Sequence, residues 1–180
     1  NPGGAIRRGF LLPPHTNLLA SGYIIIRVQL SRSLADETTM PFSTCIDHSQ
    51  RLVVFHNTGR LVRGDMDKVV GLFRNPKFPV SYDLLTLFEP DVTMDIDHTA
   101  LVDHAIERQR TLQERSPEHA IKSAFAGVPD GLKPMLELWP LFFPASQDSL
   151  SIRFFHTVEE ALAWLGRGPL DESALTEFQP

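Results

Sequence analysis

Thr157-Val-Glu-Glu-Ala-Leu-Ala-Trp-Leu-Gly166 carries both ends of one short helix in its own chemistry. Thr157 is suited to accept from the backbone of Glu160, and Glu160 to reach back, which makes a Thr-x-x-Glu capping box. Ala161, Leu162, Trp164 and Leu165 recur at helical spacing and predict an apolar stripe. Gly166 is the natural left-handed stop. Leu150-Ser-Ile-Arg-Phe-Phe155 reads as a strand running straight into that cap. A strand feeding a capped helix is half of a βα unit.

Working upstream, the same unit recurs. Strands are expected at Ser43–Asp47, Arg51–His56, Tyr82–Phe88 and His119–Ala126. Leu52-Val-Val-Phe55 has the uninterrupted apolar run of a strand buried on both faces. Asp65 is positioned to cap a helix that turns Met66, Val69, Val70 and Phe73 inward, and Asn75-Pro76 ends it. Asp97 caps the next, with Leu101, Val102, Ala105, Ile106 and Leu112 inward. A third helix falls between Asp130 and Phe143, shortened or kinked by Pro134 and Pro140. The order ββαβαβαβα predicts a single α/β domain. Its mixed, mostly parallel sheet has about five strands and right-handed crossover helices.

Three segments follow from this. Residues 1–39 read as an N-terminal extension outside the core: Pro2-Gly-Gly4 and Pro13-Pro14 punctuate them, and Arg7, Arg8, Arg27 and Arg32 outnumber Asp36 and Glu37. A processed leader or a misplaced start are alternative readings of the same stretch. Residues 40–166 form the domain. Residues 167–180 read as a polar tail with at most one short turn.

Composition narrows the function classes. The formal net charge of −5, with no basic block, argues against nucleic acid, whose binding rests on neutralising phosphates. A single cysteine, Cys45, excludes an internal disulfide and favours a cytoplasmic protein. Apolar runs such as Tyr23-Ile-Ile-Ile26 are too short to span a bilayer.

The chain resembles SpoIIAA-like proteins of the STAS-like superfamily, the bacterial anti-sigma-factor antagonists and their relatives. Leu52-Val-Val-Phe-His-Asn-Thr-Gly-Arg-Leu61 is similar to that family's second strand and the Gly-x-Leu before its first helix. Leu84-Leu-Thr-Leu-Phe88 and Asp91-Val-Thr-Met-Asp95 resemble its third strand and following turn. Arg153 to Leu165 looks like the ending of the SpoIIAA-like branch. The resemblance covers about residues 41–166. It implies a non-catalytic regulatory or protein-interaction module, with a protein partner and a possible homodimer. The antagonists' phosphorylatable serine lies in an Asp-Ser-Ser-Gly context, and the equivalent switch region here is Asp95-Ile-Asp97-His98-Thr99. It lacks both serine and glycine, and the acidic residue expected after Gly-x-Leu is Val62. The serine phospho-switch is therefore not expected. Thr99 beside two aspartates is not expected to replace it, because a phosphate there adds repulsion.

Other candidate sites compete with structural readings. His56 and His156 each follow an apolar strand, so both are expected at the carboxyl edge of the sheet, where α/β proteins bind ligands. Neither has a partner at recognised metal-ligand spacing, and no metal or other cofactor is expected. Asp103, His104 and Glu107 share one helix face, which reads as solvated. Cys45 with His48 imitates a nucleophile and base, but a buried strand cysteine is the ordinary reading. No enzyme is expected. Leu132, Met135, Leu136, Leu138, Trp139, Leu141, Phe142 and Phe143 make the third helix more apolar than one core face requires, and Met135, Leu136, Trp139, Phe142 and Phe143 stand out among them. They are the candidate partner- or ligand-binding surface. On that alternative the protein carries or senses an apolar small molecule or lipid in a groove beside this helix.

Overall fold

The computed structural model describes residues 41–115, 120–142 and 150–178. The expected extension, residues 1–39, lies outside them. Both ends of the last helix, α4 (Val158–Leu165), are built as its sequence requires. Glu160 N–H donates to Thr157 Oγ1 at 3.2 Å, and the Glu160 carboxylate accepts from Thr157 N–H at 3.3 Å. Gly166 adopts φ 72°, and Arg167 N–H returns to the Leu162 carbonyl at 2.9 Å, closing a Schellman-type end. Ala161, Leu162 and Leu165 are the buried face.

Trp164 is corrected: it is half-buried rather than core. The cations of Lys122 and Arg153 lie 5.4 and 5.3 Å from its ring, and the Phe155 ring is 5.5 Å away. Loss of the Thr157 cap through Thr157→Ala is expected to cost about 1 kcal/mol in urea melts. Trp164→Ala is expected to cost about 2 kcal/mol, less than a fully buried tryptophan, because cation–π contacts at exposed sites are weak.

The strands are β1 (Phe42–Asp47), β2 (Leu52–Asn57), β3 (Arg60–Val62), β4 (Asp83–Phe88), β5 (Thr93–Asp95), β6 (Ile121–Ala126), β7 (Leu150–Phe155) and β8 (Thr176–Glu177). Six form one sheet in the order β7-β6-β4-β2-β1-β8, and β3 and β5 pair separately. The β2, β4, β6 and β7 neighbours are parallel, while β1 joins β2 and β8 antiparallel. The α/β class and mostly parallel sheet agree with expectation; the strand number does not.

The β1–β2 hairpin is closed by Asp47, which is 1% exposed. Its carboxylate accepts from Ser49 Oγ at 2.6 Å and from Gln50 N–H at 2.9 Å. Burial alone pushes this acid's pKa up. The bonds from Ser49 and Gln50 outweigh it and hold the carboxyl below its usual range.

Alternate residues divide the sheet's two faces. On one, Phe42, Ile46, Val53, Phe55, Leu84 and Ile121 pack with Leu72 and Phe73 of α1 (Arg63–Arg74) and Leu112 of α2 (His98–Arg115). On the other, α4 lies over β4, β6 and β7, with Lys122 Nζ donating to the Trp164 carbonyl at 3.1 Å. Gly127 follows β6 at φ 71°, and a Cβ there would stand 3.0 Å from the Phe88 carbonyl, so both conformation and space require glycine. Arg115 closes α2 onto the end of α1. Its guanidinium donates to the carbonyls of Phe73, Asn75, Pro76 and Phe78.

Several expectations are revised. Asp65 is the third residue of α1, not its cap: Val62 holds the cap position, and Asp65 accepts from Val62 N–H at 3.1 Å. The third helix is only α3 (Lys133–Leu136), followed by a 3-10 turn at Trp139–Phe142. Pro134 lies in the first turn of α3, after Lys133, while Pro140 sits inside the 3-10 turn and supplies no N–H to continue an α-helix. The tail is not merely polar. A 3-10 turn at Glu172–Ala174 leads into β8, and Phe178 stacks edge-on to Phe78 at 5.3 Å.

The inward face of α2 is also rotated from the expected one. Ile106 is 54% exposed, whereas His104, Arg108 and Thr111 are buried with Ala100, Leu101, Ala105 and Leu112. Among the described residues, no helix is long and apolar enough to cross a membrane.

Candidate functional site

The two central parallel strands continue past the main sheet. After Asn57 the chain turns through Gly59 (φ 60°) into β3, and after Phe88 it bends into β5. Thr93 N–H donates to the Gly59 carbonyl at 2.9 Å, joining the two bends. β3 and β5 then pair in parallel, Arg60 opposite Thr93 and Val62 opposite Asp95. β3 leads directly into α1, and β5 reaches α2 through Ile96 and Asp97. This small sheet therefore places the starts of two helices side by side.

Asp97 caps α2 as its sequence predicts, its carboxylate accepting from Ala100 N–H at 2.7 Å. Asp95, His98 and Thr99 are exposed around it. Asp95 forms an ion pair with Arg60, both side chains about two-thirds exposed. Arg63 pairs with Asp103 at 3.3 Å, also in the open. Val62 lies between these groups in sequence, 39% exposed. No cation is adjacent to this acidic turn in sequence; Arg60 reaches it only through the pairing of β3 with β5. Exposed ion pairs of this kind hold their members weakly, so each charge is free to exchange its partner.

The two candidate histidines do not meet. His56 Nε2 is 2.7 Å from Glu89 Oε1 and half-covered at the end of β2. His156 is exposed after β7, on the far side of β4 and β6. Three strand spacings put the two about 14 Å apart. No group of three or more metal-ligating side chains occurs among the described residues.

Cys45 is buried in β1. Burial first, and then the charge of Glu177, pushes its thiol pKa up, away from the thiolate a nucleophile needs. His48 stands instead beside Tyr82, Nδ1 to hydroxyl 3.3 Å.

The apolar candidates of the third helical segment are divided. Leu136 and Trp139 are each 3% exposed. Leu136 packs with Phe125 and Val128, and Trp139 with Leu101 and Ala105. Met135 is half-buried against the second group. Phe142 ends the 3-10 turn, and Phe143 lies outside the described residues. Among the described residues of this segment, the exposed large apolar side chains are Leu138 at 40% and Leu141 at 75%.

The face Asp103–His104–Glu107 is corrected as well. Asp103 and Glu107 are surface ion-pair members, Glu107 bridging Arg74 and Arg110, but His104 is 6% exposed. His104 Nδ1 faces the Met66 carbonyl at 3.3 Å, and its ring lies 5.1 Å from that of Trp139. One turn later Arg108 is 4% exposed, its guanidinium 5.2 Å over Phe73 and 3.4 Å from Ser123 Oγ. Burial and the neighbouring Arg108 charge push the His104 pKa down to about 3, so the ring is neutral at pH 7. The signal for this polar interior was the spacing His104, Arg108, Thr111 in register with Leu101, Ala105 and Leu112.

No family model, curated protein or solved structure matches this chain.

Proposed function

We propose that the protein is a non-catalytic regulatory or protein-interaction module of SpoIIAA/STAS-like type, working without a serine phospho-switch. The observation that carries this reading is the exposed turn where β3 and β5 deliver α1 and α2. It gathers Arg60, Asp95, His98, Thr99 and Val62 on the paired strands β3 and β5 and the start of α2, with opposite charges paired weakly in solvent. Complementary surface charge of that kind selects a partner and speeds encounter more than it stabilises the fold. The partner is a protein with its own mixed charges, and the site is constitutive, because Asp97 caps the helix permanently.

The alternative, a carrier or sensor of an apolar small molecule or lipid, is favoured by the exposure of Leu138 and Leu141. A native mass spectrum of the full chain, purified without added ligand, separates the two. The interaction reading expects the bare chain or its dimer, with nothing released by organic solvent. Stoichiometric extractable lipid would establish the alternative.

A further inference from the structure

Among the described residues, Arg108 carries a charge into the interior without a counter-charge. Its side chain leaves the middle of α2 and ends between α1 and the sheet, 4% exposed. Among the described residues no carboxylate forms an ion pair with it. The Phe73 ring covers one face of the guanidinium at 5.2 Å. One bond, 3.4 Å to Ser123 Oγ, engages Nη2, and Nε is buried with no acceptor at all. Ser123 itself is 0% exposed. His104, the other titratable group facing this space, is neutral and directs Nδ1 to the Met66 carbonyl.

A guanidinium held out of water normally has its donors satisfied, because an unpaired buried charge costs several kcal/mol. Five N–H groups in a fixed fork recognise an acceptor of negative charge. Ser123 accepts from one arm of the fork and keeps its own hydroxyl proton to give. The enclosure limits the size of what can sit there. With Arg108 and Ser123 both sealed from solvent, there is no opening for the body of an organic ligand.

We propose that Arg108 and Ser123 form a buried site for a small monovalent anion of about chloride size, bound between α2 and β6. The anion accepts from Arg108 Nε–H and Ser123 Oγ–H. Its occupancy ties α2 to the sheet through charge rather than through packing alone.

The test is thermal unfolding of the full chain in sodium chloride, sodium bromide and sodium gluconate at equal ionic strength, so that screening is constant. Chloride and bromide are expected to raise Tm saturably over gluconate, by about 3–5 °C at ten times the dissociation constant. Arg108→Met keeps the length and apolar stem of the side chain and is expected to abolish the difference. Ser123→Ala is expected to reduce it. Should Arg108→Met fail to fold, the unaltered protein is expected to broaden the chloride-35 resonance, and competing bromide to reverse the broadening. Equal Tm in all three salts, no line broadening, or an anion effect that survives Arg108→Met would overturn the proposal.

Discussion

Phe73→Ala is expected to destabilise the fold by about 4 kcal/mol, read from urea melts at neutral pH. Phe73 sits in the last turn of α1, 1% exposed. Its ring meets Phe78 edge-on at 5.1 Å and Phe55 of β2 at 6.1 Å. Through Phe78 it reaches Phe178, which follows β8. Truncation therefore opens a cavity where α1, the sheet and the C-terminal segment converge. It also strips Arg108 of the ring that covers its guanidinium. Phe73→Leu keeps most of the volume and is expected to recover more than half of the loss. A cost below about 2 kcal/mol for Phe73→Ala would mean that this cluster is not the tightly packed core described.

Acidification from pH 7 to 4.5 is expected to remove about 2–3 kcal/mol of stability through His104 alone. Desolvation is the main cause of its low pKa, the Arg108 charge adds to it, and the Met66 carbonyl opposes both. The folded pKa, about 3, lies below the ordinary value of 6.5. The unfolded chain therefore takes up the proton first. The contribution of His104 is whole above pH 6.5 and declines as pH falls toward 3, at about 1.4 kcal/mol per pH unit. Urea melts at pH 7, 6, 5 and 4.5 on the native sequence and on His104→Gln provide the check. The variant is expected to lose most of the slope over this window, the remainder coming from carboxyls such as Asp47 that are held below their usual range. Parallel slopes in the two proteins would show that His104 is solvated.

How far the sequence announced this structure depended on how local the determining chemistry was. α4 was legible in its cap, its stop and most of its stripe, Trp164 excepted, because these lie within ten contiguous residues. β2 was legible because Leu52-Val-Val-Phe55 is a short apolar run typical of a strand covered on both faces. β3 and β5 were not, since three residues hold no period, and each exists by pairing with the other across some thirty positions. β8 was missed for a similar reason: it has two residues, and Phe178 alone signals that this segment returns to the core. The inward face of α2 was misjudged because apolar Val102 and Ile106 competed with His104 and Arg108 for it. Residue type favoured the former. Arg108 is covered by the Phe73 ring and bonded to Ser123, contacts that come from two other elements. Of the candidate site, the cap at Asp97 was legible, whereas the arginine facing Asp95 was brought there by topology.

On the proposed reading, the turn at Asp95–Thr99 is a protein-binding surface. The most direct measurement replaces Thr99 by a photo-crosslinking amino acid in the full chain, expressed in its native cells. One discrete protein adduct is predicted at this position. It should be lost when Asp95→Arg is added and absent when the probe replaces the exposed Glu159 on α4, across the sheet. No adduct at position 99, or the same adducts from both positions, would contradict the account.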